Sequence, residues 1–420
     1  MQYTLKQLQS DQLLGIKSLK LQEDLKEVPS EIFLLADSLE ILDLNNNQLD
    51  SLPDDFYQLQ NLKILFLSNN NFAVLPKILA KCPKLEMIGF KSNKIIEVPK
   101  ESLPPMTRWL ILTDNKIERL PEDIGSLHRL QKLMLAGNKL KDLPSSLSDC
   151  KALELVRVSA NNLASFPEAL MSLPRLTWLA FNGNPFVESA DHGDSEPDVL
   201  RISFDDLILK NILGEGASGT TYQAEWPDNP YGLAEDFAVK IFKKGITSDG
   251  YAADELRICL SVGAHKNLTK TMALAEDKSR QAIVMKLIPA NFYNLAGPPS
   301  LASCTRDTFA EGFSLSLDRI QLIVDQMLDV KAYLQKFEIY HGDLYAHNVL
   351  YNEQGEMVLG DFGAAGSYAM LQDHEKNKIV EIEDRAVGVF IEDLLSVCSV
   401  EDRDSEDFSG LKSLAANLMN

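Results

Sequence analysis

The chain has 420 residues, 45% of them hydrophobic and 24% charged, with a net charge of -20. That length exceeds one ordinary core, so two or three domains are expected, and the composition is globular rather than disordered. The acidic balance argues against a nucleic acid or an anionic membrane held by bulk charge. The five cysteines, Cys82, Cys150, Cys259, Cys304 and Cys398, are scattered, and no Cys/His cluster points to zinc. Cys82 and Cys150 occupy equivalent places three residues before Leu85 and Leu153, which reads as core packing. No apolar run reaches the roughly 18 residues a membrane helix needs, and residues 1–10 lack a signal-peptide core. A cytoplasmic location with reduced thiols is expected, unless the chain is exported by another signal.

The first half is periodic. Asparagines recur at Asn47, Asn70, Asn93, Asn115, Asn138, Asn161 and Asn184, and each closes an L-x-x-L-x-L-x-x-N pattern such as Leu39, Leu42, Leu44, Asn47. Pairs such as Leu52-Pro53 and Leu75-Pro76 open the return path. Leu19, Leu21 and Asp24 form an earlier degenerate unit, read as an N-terminal cap. The pattern is identified as leucine-rich repeats, an α/β solenoid or horseshoe over residues 1–186, with the asparagines bonding backbone between turns. The residues flanking each inward leucine form the concave strand face. Phe66, Trp109, Ile111, Met134 and Trp178 are expected to face solvent there and to bind a protein partner or substrate. The alternative is that neighbouring strands or the rest of the chain cover them. Residues 187–202, with acidic residues concentrated at 188–198, read as a linker. A second acidic stretch at 401–407 reads as solvated surface.

In the second half, residues 204–213 alternate like a strand leading into Gly214-Glu215-Gly216-Ala217-Ser218-Gly219. Ala238-Val239-Lys240 puts one lysine in an apolar run, where it needs a counter-charge; Glu255, which opens a helical run, is the expected partner of Lys240, with Asp254 the runner-up. Residues 282–288 read as a strand, 289–316 as a loop-rich insertion, and 317–337 as a helix. His341-Gly342-Asp343-Leu344 with Asn348 follows, then Asp361-Phe362-Gly363, 18 residues after Asp343. A lone G-x-G-x-x-G is weak, but this ordered series is specific. Residues 203–420 resemble a eukaryotic-like protein kinase, an α+β bilobal fold, here with a shortened C-lobe. Compact bacterial kinases with H-G-D loops and fused leucine-rich repeats look most similar.

The resemblance implies an ATP-dependent protein kinase, serine/threonine in preference to tyrosine, using Mg2+ or Mn2+ in its place. Asp343, Lys240 and Asn348 would be catalytic, and Asn348 and Asp361 would hold the metal. Leu213, Gly214, Gly216, Gly219, Thr221, Ala238, Lys240, Glu255, Met285, Leu287 and Leu350 would line the nucleotide site. There are departures from the family pattern. Thr221 stands where valine packs on adenine. Gly342 replaces the arginine that grips a phosphorylated activation loop, so control by such phosphorylation is not expected. Tyr345 replaces a lysine, and His347 is read as structural, with a missing-cation role as the alternative. No A-P-E follows, and Asp384-Arg385-Ala386-Val387-Gly388 resembles the start of the large C-lobe helix. Two other readings stay open: a nucleotide-binding pseudokinase or scaffold, and a small-molecule hydroxyl kinase.

Overall fold

The computed structural model describes residues 2–10, 12–187, 199–216, 218–229, 231–232, 236–277 and 280–420. Most of the expected linker, including its acidic run, lies outside the described residues, as does Ala217 of the glycine loop. By internal contacts the chain forms two compact units, Met1–Leu176 and Thr177–Asn420.

In the first unit, helix α1 (Leu5–Leu8) is capped by Thr4 through a reciprocal bond with Gln7. Seven three-residue strands follow: β1 (Ser18–Lys20), β2 (Ile41–Asp43), β3 (Ile64–Phe66), β4 (Met87–Gly89), β5 (Trp109–Ile111), β6 (Lys132–Met134) and β7 (Leu155–Arg157), each parallel to the next. Their middle residues, among them Leu65, Ile88 and Leu110, are fully buried. Short helix α2 (Glu168–Met171) and several 3-10 turns, each entered from a proline such as Pro53 or Pro76, form the return path.

The asparagines do what their spacing predicts. Asn93 accepts from Phe72 N at 3.1 Å and donates to Leu67 O at 2.9 Å and Phe90 O at 3.1 Å. The chain turns in the left-handed region one residue earlier, at Asn46, Asn69, Ser92, Asp114, Gly137 and Ala160. Each side chain thus satisfies buried backbone that no strand can reach. Asn93→Ala should orphan the Phe72 amide, while Leu67 O and Phe90 O keep their bonds from Asn70 and Asn115, costing about 1–3 kcal/mol for the amide left without water. Chemical denaturation would read this as a lower midpoint, and a wild-type midpoint would remove the ladder from the stability account. Cys82 and Cys150 are fully buried, and burial pushes both thiols up to about 11.

On the strand face the apolar side chains partly cover one another. Phe66 lies over Gly89, where an added Cβ would come within 2.8 Å of its ring. Trp109 donates to the Met134 sulfur at 3.5 Å, and the Lys132 ammonium sits 4.3 Å from the Trp109 ring. Phe66, Trp109, Ile111 and Met134 are half-buried. Trp178 corrects the expectation of a solvent-facing side chain. It is 1% exposed, and it lies in the second unit, on strand β8 (Trp178–Ala180), stacked on Tyr345.

The rest of the second unit begins with β9 (Leu200–Ser203), which was expected to be linker but forms a sheet edge. Residues 204–206 make a 3-10 turn rather than the start of a strand. Ser203 and Asp206 cap it reciprocally, and that local bonding overrides the alternation. Strand β10 (Ile208–Glu215) then leads into the glycine loop, and β11 (Gly219–Glu225) and β12 (Phe237–Phe242) follow. After helix α3 (Ala252–Ser261) come β13 (Thr271–Glu276) and β14 (Gln281–Lys286). The sheet order is β10-β11-β12-β14-β13-β9, antiparallel except for β9 against β13.

Alternation assigns the sheet's two faces. Phe237 and Val239 on β12, with Ala282 and Val284 on β14, join one core with Trp226 and Ala273. Ala238 and Lys240, with Ile283 and Met285, point to the opposite face.

The expected insertion carries β15 (Tyr293–Asn294), which pairs with β17 (Val349–Tyr351), and β17 pairs in turn with β18 (Met357–Leu359). Helix α4 (Leu317–Gln335) matches its periodicity. Strand β16 (Ile339–Tyr340) pairs with β19 (Gly366–Ser367). Helix α5 (Asp373–Ser396) starts eleven residues before the sequence expectation, because Gln372 and Glu375 form a capping box there. Helix α6 (Glu406–Met419) packs on it, Gly388 leaving room for Met419.

Candidate active site

The hairpin β17–β18 sets the geometry. Val349 pairs with Leu359, so Asn348 and Gly360 meet just beyond the paired ends, with Gly360 N donating to Asn348 O at 3.0 Å. That register delivers Asp361 beside Asn348. Asp361 turns in the left-handed region, at φ 54°, and its Oδ1 accepts from Gly363 N at 3.2 Å. Asn348 Nδ2 donates to both the carbonyl and the carboxylate of Asp343, at 2.9 and 3.0 Å. The side chain of Asn348 is thereby oriented, and its Oδ1 is left to accept.

Lys240, held on β12 between Thr221 and Ile283 by register, forms an ion pair with Glu255 of α3. The two side chains are 15% and 2% exposed. Asp254 is not the partner: it bonds Arg257 at 2.7 Å instead. Burial works against the Lys240 charge, but the carboxylates of Glu255 and Asp361 outweigh it and raise its pKa. Lys240, Glu255, Asn348 and Asp361 converge on one cleft of about 560 Å³. Its lining includes Leu213, Gly214, Gly216, Gly219, Thr221, Ala238, Lys240, Glu255, Met285, Leu287, Asn348, Leu350 and Asp361, every nucleotide and metal residue expected from the sequence. Asp343 is at its edge, reached through Asn348.

Family comparisons agree with this geometry. A protein kinase domain matches residues 207–381, and a leucine-rich repeat matches residues 37–95 and 105–163. This chain carries leucine-rich repeats followed by a protein kinase domain. It is 27% identical over 201 residues to fibroblast growth factor receptor 1 of Xenopus laevis, covering 44% of this chain and 24% of that protein. It is 28% identical over 173 residues to a probable LRR receptor-like serine/threonine-protein kinase of Arabidopsis thaliana, covering 40% of this chain and 26% of that one. The chain therefore spans about a quarter of the length of these curated relatives. A solved leucine-rich-repeat protein of Leptospira interrogans shares 30% identity at TM-score 0.36, covering 42% of this chain and 52% of its own.

A protein kinase domain works on ATP with a divalent metal ion. The donor set fits such an ion: Asp361 and the Asn348 amide oxygen are hard oxygen ligands, of the kind that complete a site together with nucleotide phosphates. When bound, the ion would neutralise phosphate charge. Among the described residues no cluster of three or more His, Cys, Asp or Glu could bind a metal alone. No helix among the described residues is long and apolar enough to cross a membrane.

Two kinase-domain residues escaped the sequence reading. Glu383, buried on α5, accepts from His341 N and Gly342 N, both at 3.0 Å, and so fixes the backbone just before Asp343. It lies at helical spacing from Ile379 and Ala386, a signal lost when the helix is started at Asp384. Asp307, from the insertion, binds His347 Nδ1 at 2.6 Å and its backbone N at 3.1 Å. Burial pulls the His347 pKa down, but that bond and the charges of Asp307, Asp343 and Asp361 more than offset it, so it is raised. The neighbouring Arg306 ties the insertion to α5 through Asp393 at 2.8 Å. Nothing in the local sequence marked either insertion residue. His341 is fully buried, its Nε2 3.1 Å from Gly360 O and its ring 5.0 Å from Phe362.

Proposed function

We propose that this protein transfers the γ-phosphate of ATP, with Mg2+, to hydroxyl groups of protein substrates. The observation that carries the reading is the formed Lys240–Glu255 pair in the same cleft as Asp361 and Asn348. Lys240 would hold the α- and β-phosphates. Asp343, at the cleft edge, would orient the acceptor hydroxyl and take its proton as the new oxygen–phosphorus bond forms. The bond from the γ-phosphorus to the bridging oxygen breaks, and ADP leaves with that oxygen. Serine and threonine are preferred as acceptors, a reading supported by the specificity in the Arabidopsis relative's name. The repeats would recruit the partner or substrate, with Phe66, Trp109, Ile111 and Met134 as the surface. The intended location is the cytoplasm.

The test is labelled γ-phosphate transfer by the full chain, with phosphosite mapping on protein substrates and a parallel panel of small hydroxyl acceptors. Label on serine or threonine of proteins is the expected result. Label on small alcohols alone would make this a small-molecule kinase. ATP binding without transfer would make it a scaffold.

A further inference from the structure

One six-residue stretch touches three parts of the kinase domain that must be in place together for transfer. Trp178 stacks on Tyr345 with centroids 4.2 Å apart and planes within 10°, and its Nε1 donates to Leu344 O at 3.4 Å. Both contacts bear on the residues directly after Asp343. Phe181 stacks on Tyr340 at 4.5 Å, and its backbone N donates to the Tyr340 hydroxyl at 3.1 Å. Asn182 Nδ2 donates to Ala365 O at 2.7 Å, four residues after Asp361. Gly183 turns at φ +69°, so close to α3 that a Cβ there would meet Asp254 Oδ2 at 3.0 Å and the Tyr251 ring at 3.1 Å. The next residue of that helix is Glu255.

Two glycines are explained by this stretch. A Cβ on Gly342 would meet Leu179 O at 2.6 Å and Ala364 O at 2.7 Å, and its φ of +72° already excludes most side chains. The position that carries arginine in the resembled kinases is thus filled by backbone of the stretch itself. A Cβ on Gly366 would collide with the Asn182 side chain. Tyr340 and Gly366 also pair directly, joining the approach to the catalytic loop to the segment after Asp361.

A phosphate gripped by arginine is the usual way to order such a segment. Here there is no arginine at that place, and the segment runs only from Asp361 to the start of α5 at Asp373. We propose that residues 178–183 are an in-chain activation strap, positioning residues that hold the catalytic loop, the segment after Asp361 and the Glu255 helix ready for transfer without any phosphate on that segment. This rests on the kinase reading above. It makes the end of the repeat pattern part of the kinase's active state.

The experiment uses the full chain and compares wild type, phosphatase-treated wild type, Asn182→Ala, Trp178→Ala and Trp178→Phe. The readouts are kcat, KM for ATP, and amide hydrogen exchange at residues 252–261, 343–348 and 363–368. Asn182→Ala removes one hydrogen bond and should lower kcat about 3- to 10-fold, with KM for ATP changed less than about twofold. Trp178→Ala should cost about 100-fold by misplacing the catalytic loop, and Trp178→Phe, which keeps the stack, should recover most of that. Protection should fall at the three probed segments in both alanine variants, and phosphatase treatment should change nothing. Wild-type kcat and protection in Asn182→Ala would overturn the strap even if Trp178→Ala fails to fold. Loss of activity on phosphatase treatment would overturn it too. If wild type transfers no phosphate, the kinase reading fails, and the strap then stands or falls on the exchange data alone.

Discussion

Asp343→Ala is expected to cut kcat for phosphoryl transfer by about 100- to 10,000-fold, the range for loss of a positioned acid–base group. Nucleotide affinity should hardly move. Asp343 is absent from the cleft lining that contains Lys240, Thr221 and Met285, and it is linked to that lining by the two bonds from Asn348. One of those bonds goes to the Asp343 carbonyl and survives the substitution, so Asn348 keeps part of its orientation. Single-turnover transfer and calorimetric ATP binding on the same preparation separate the two effects. A variant within tenfold of the wild-type rate would remove Asp343 from the chemistry. A variant that loses ATP binding in parallel would mean that the loop, not the carboxylate, had been lost.

Glu255→Ala should damage both stability and transfer, for one electrostatic reason. It leaves the Lys240 ammonium, with a side chain only 15% exposed, without its main counter-charge. Removing one partner of a buried pair costs about 3–5 kcal/mol, and the residual exposure of Lys240 reduces this to about 2–4 kcal/mol. The second carboxylate that favours charged Lys240 is Asp361. Without Glu255 the lysine would be drawn to Asp361 and would compete for the carboxylate proposed to hold the metal. Transfer should therefore fall about 100-fold. Adding Lys240→Ala should restore part of the lost stability, because the orphan charge is gone, while transfer stays lost. Thermal melts and kcat across this double-mutant cycle decide it. Additive losses of stability would show that the pair is not energetically coupled.

The legibility of the two halves differed for physical reasons. The repeat array is local: the asparagines from Asn47 to Asn161 bond backbone of their own turn and of the adjacent one, as Asn70 does with Leu67 O at 3.1 Å and Leu44 O at 3.0 Å. A period in the sequence therefore states the structure. The cleft was legible because most of its parts come from short motifs. The series Gly214, Gly216, Gly219, Lys240, Glu255, Asn348 and Asp361 named residues that the cleft does bring together. Boundaries were less secure. Capping boxes at Ser203 and Gln372 moved a strand start and a helix start away from what periodicity suggested.

What the sequence determined by itself was the kind of each half and the identity of the groups in the cleft, because repeat spacing and motif order are properties of consecutive residues. What only the tertiary structure decided was everything that rests on chain-distant contacts. Trp178 reads as a solvent-facing repeat residue, but it is buried on Tyr345, 167 positions later in the sequence. Asp307 reads as a loop residue, but it fixes His347. Gly342 reads as a missing arginine, but it is the room taken by Leu179 O. A side chain's partner in such cases is set by how separate elements pack, and no local pattern of residues encodes that distance.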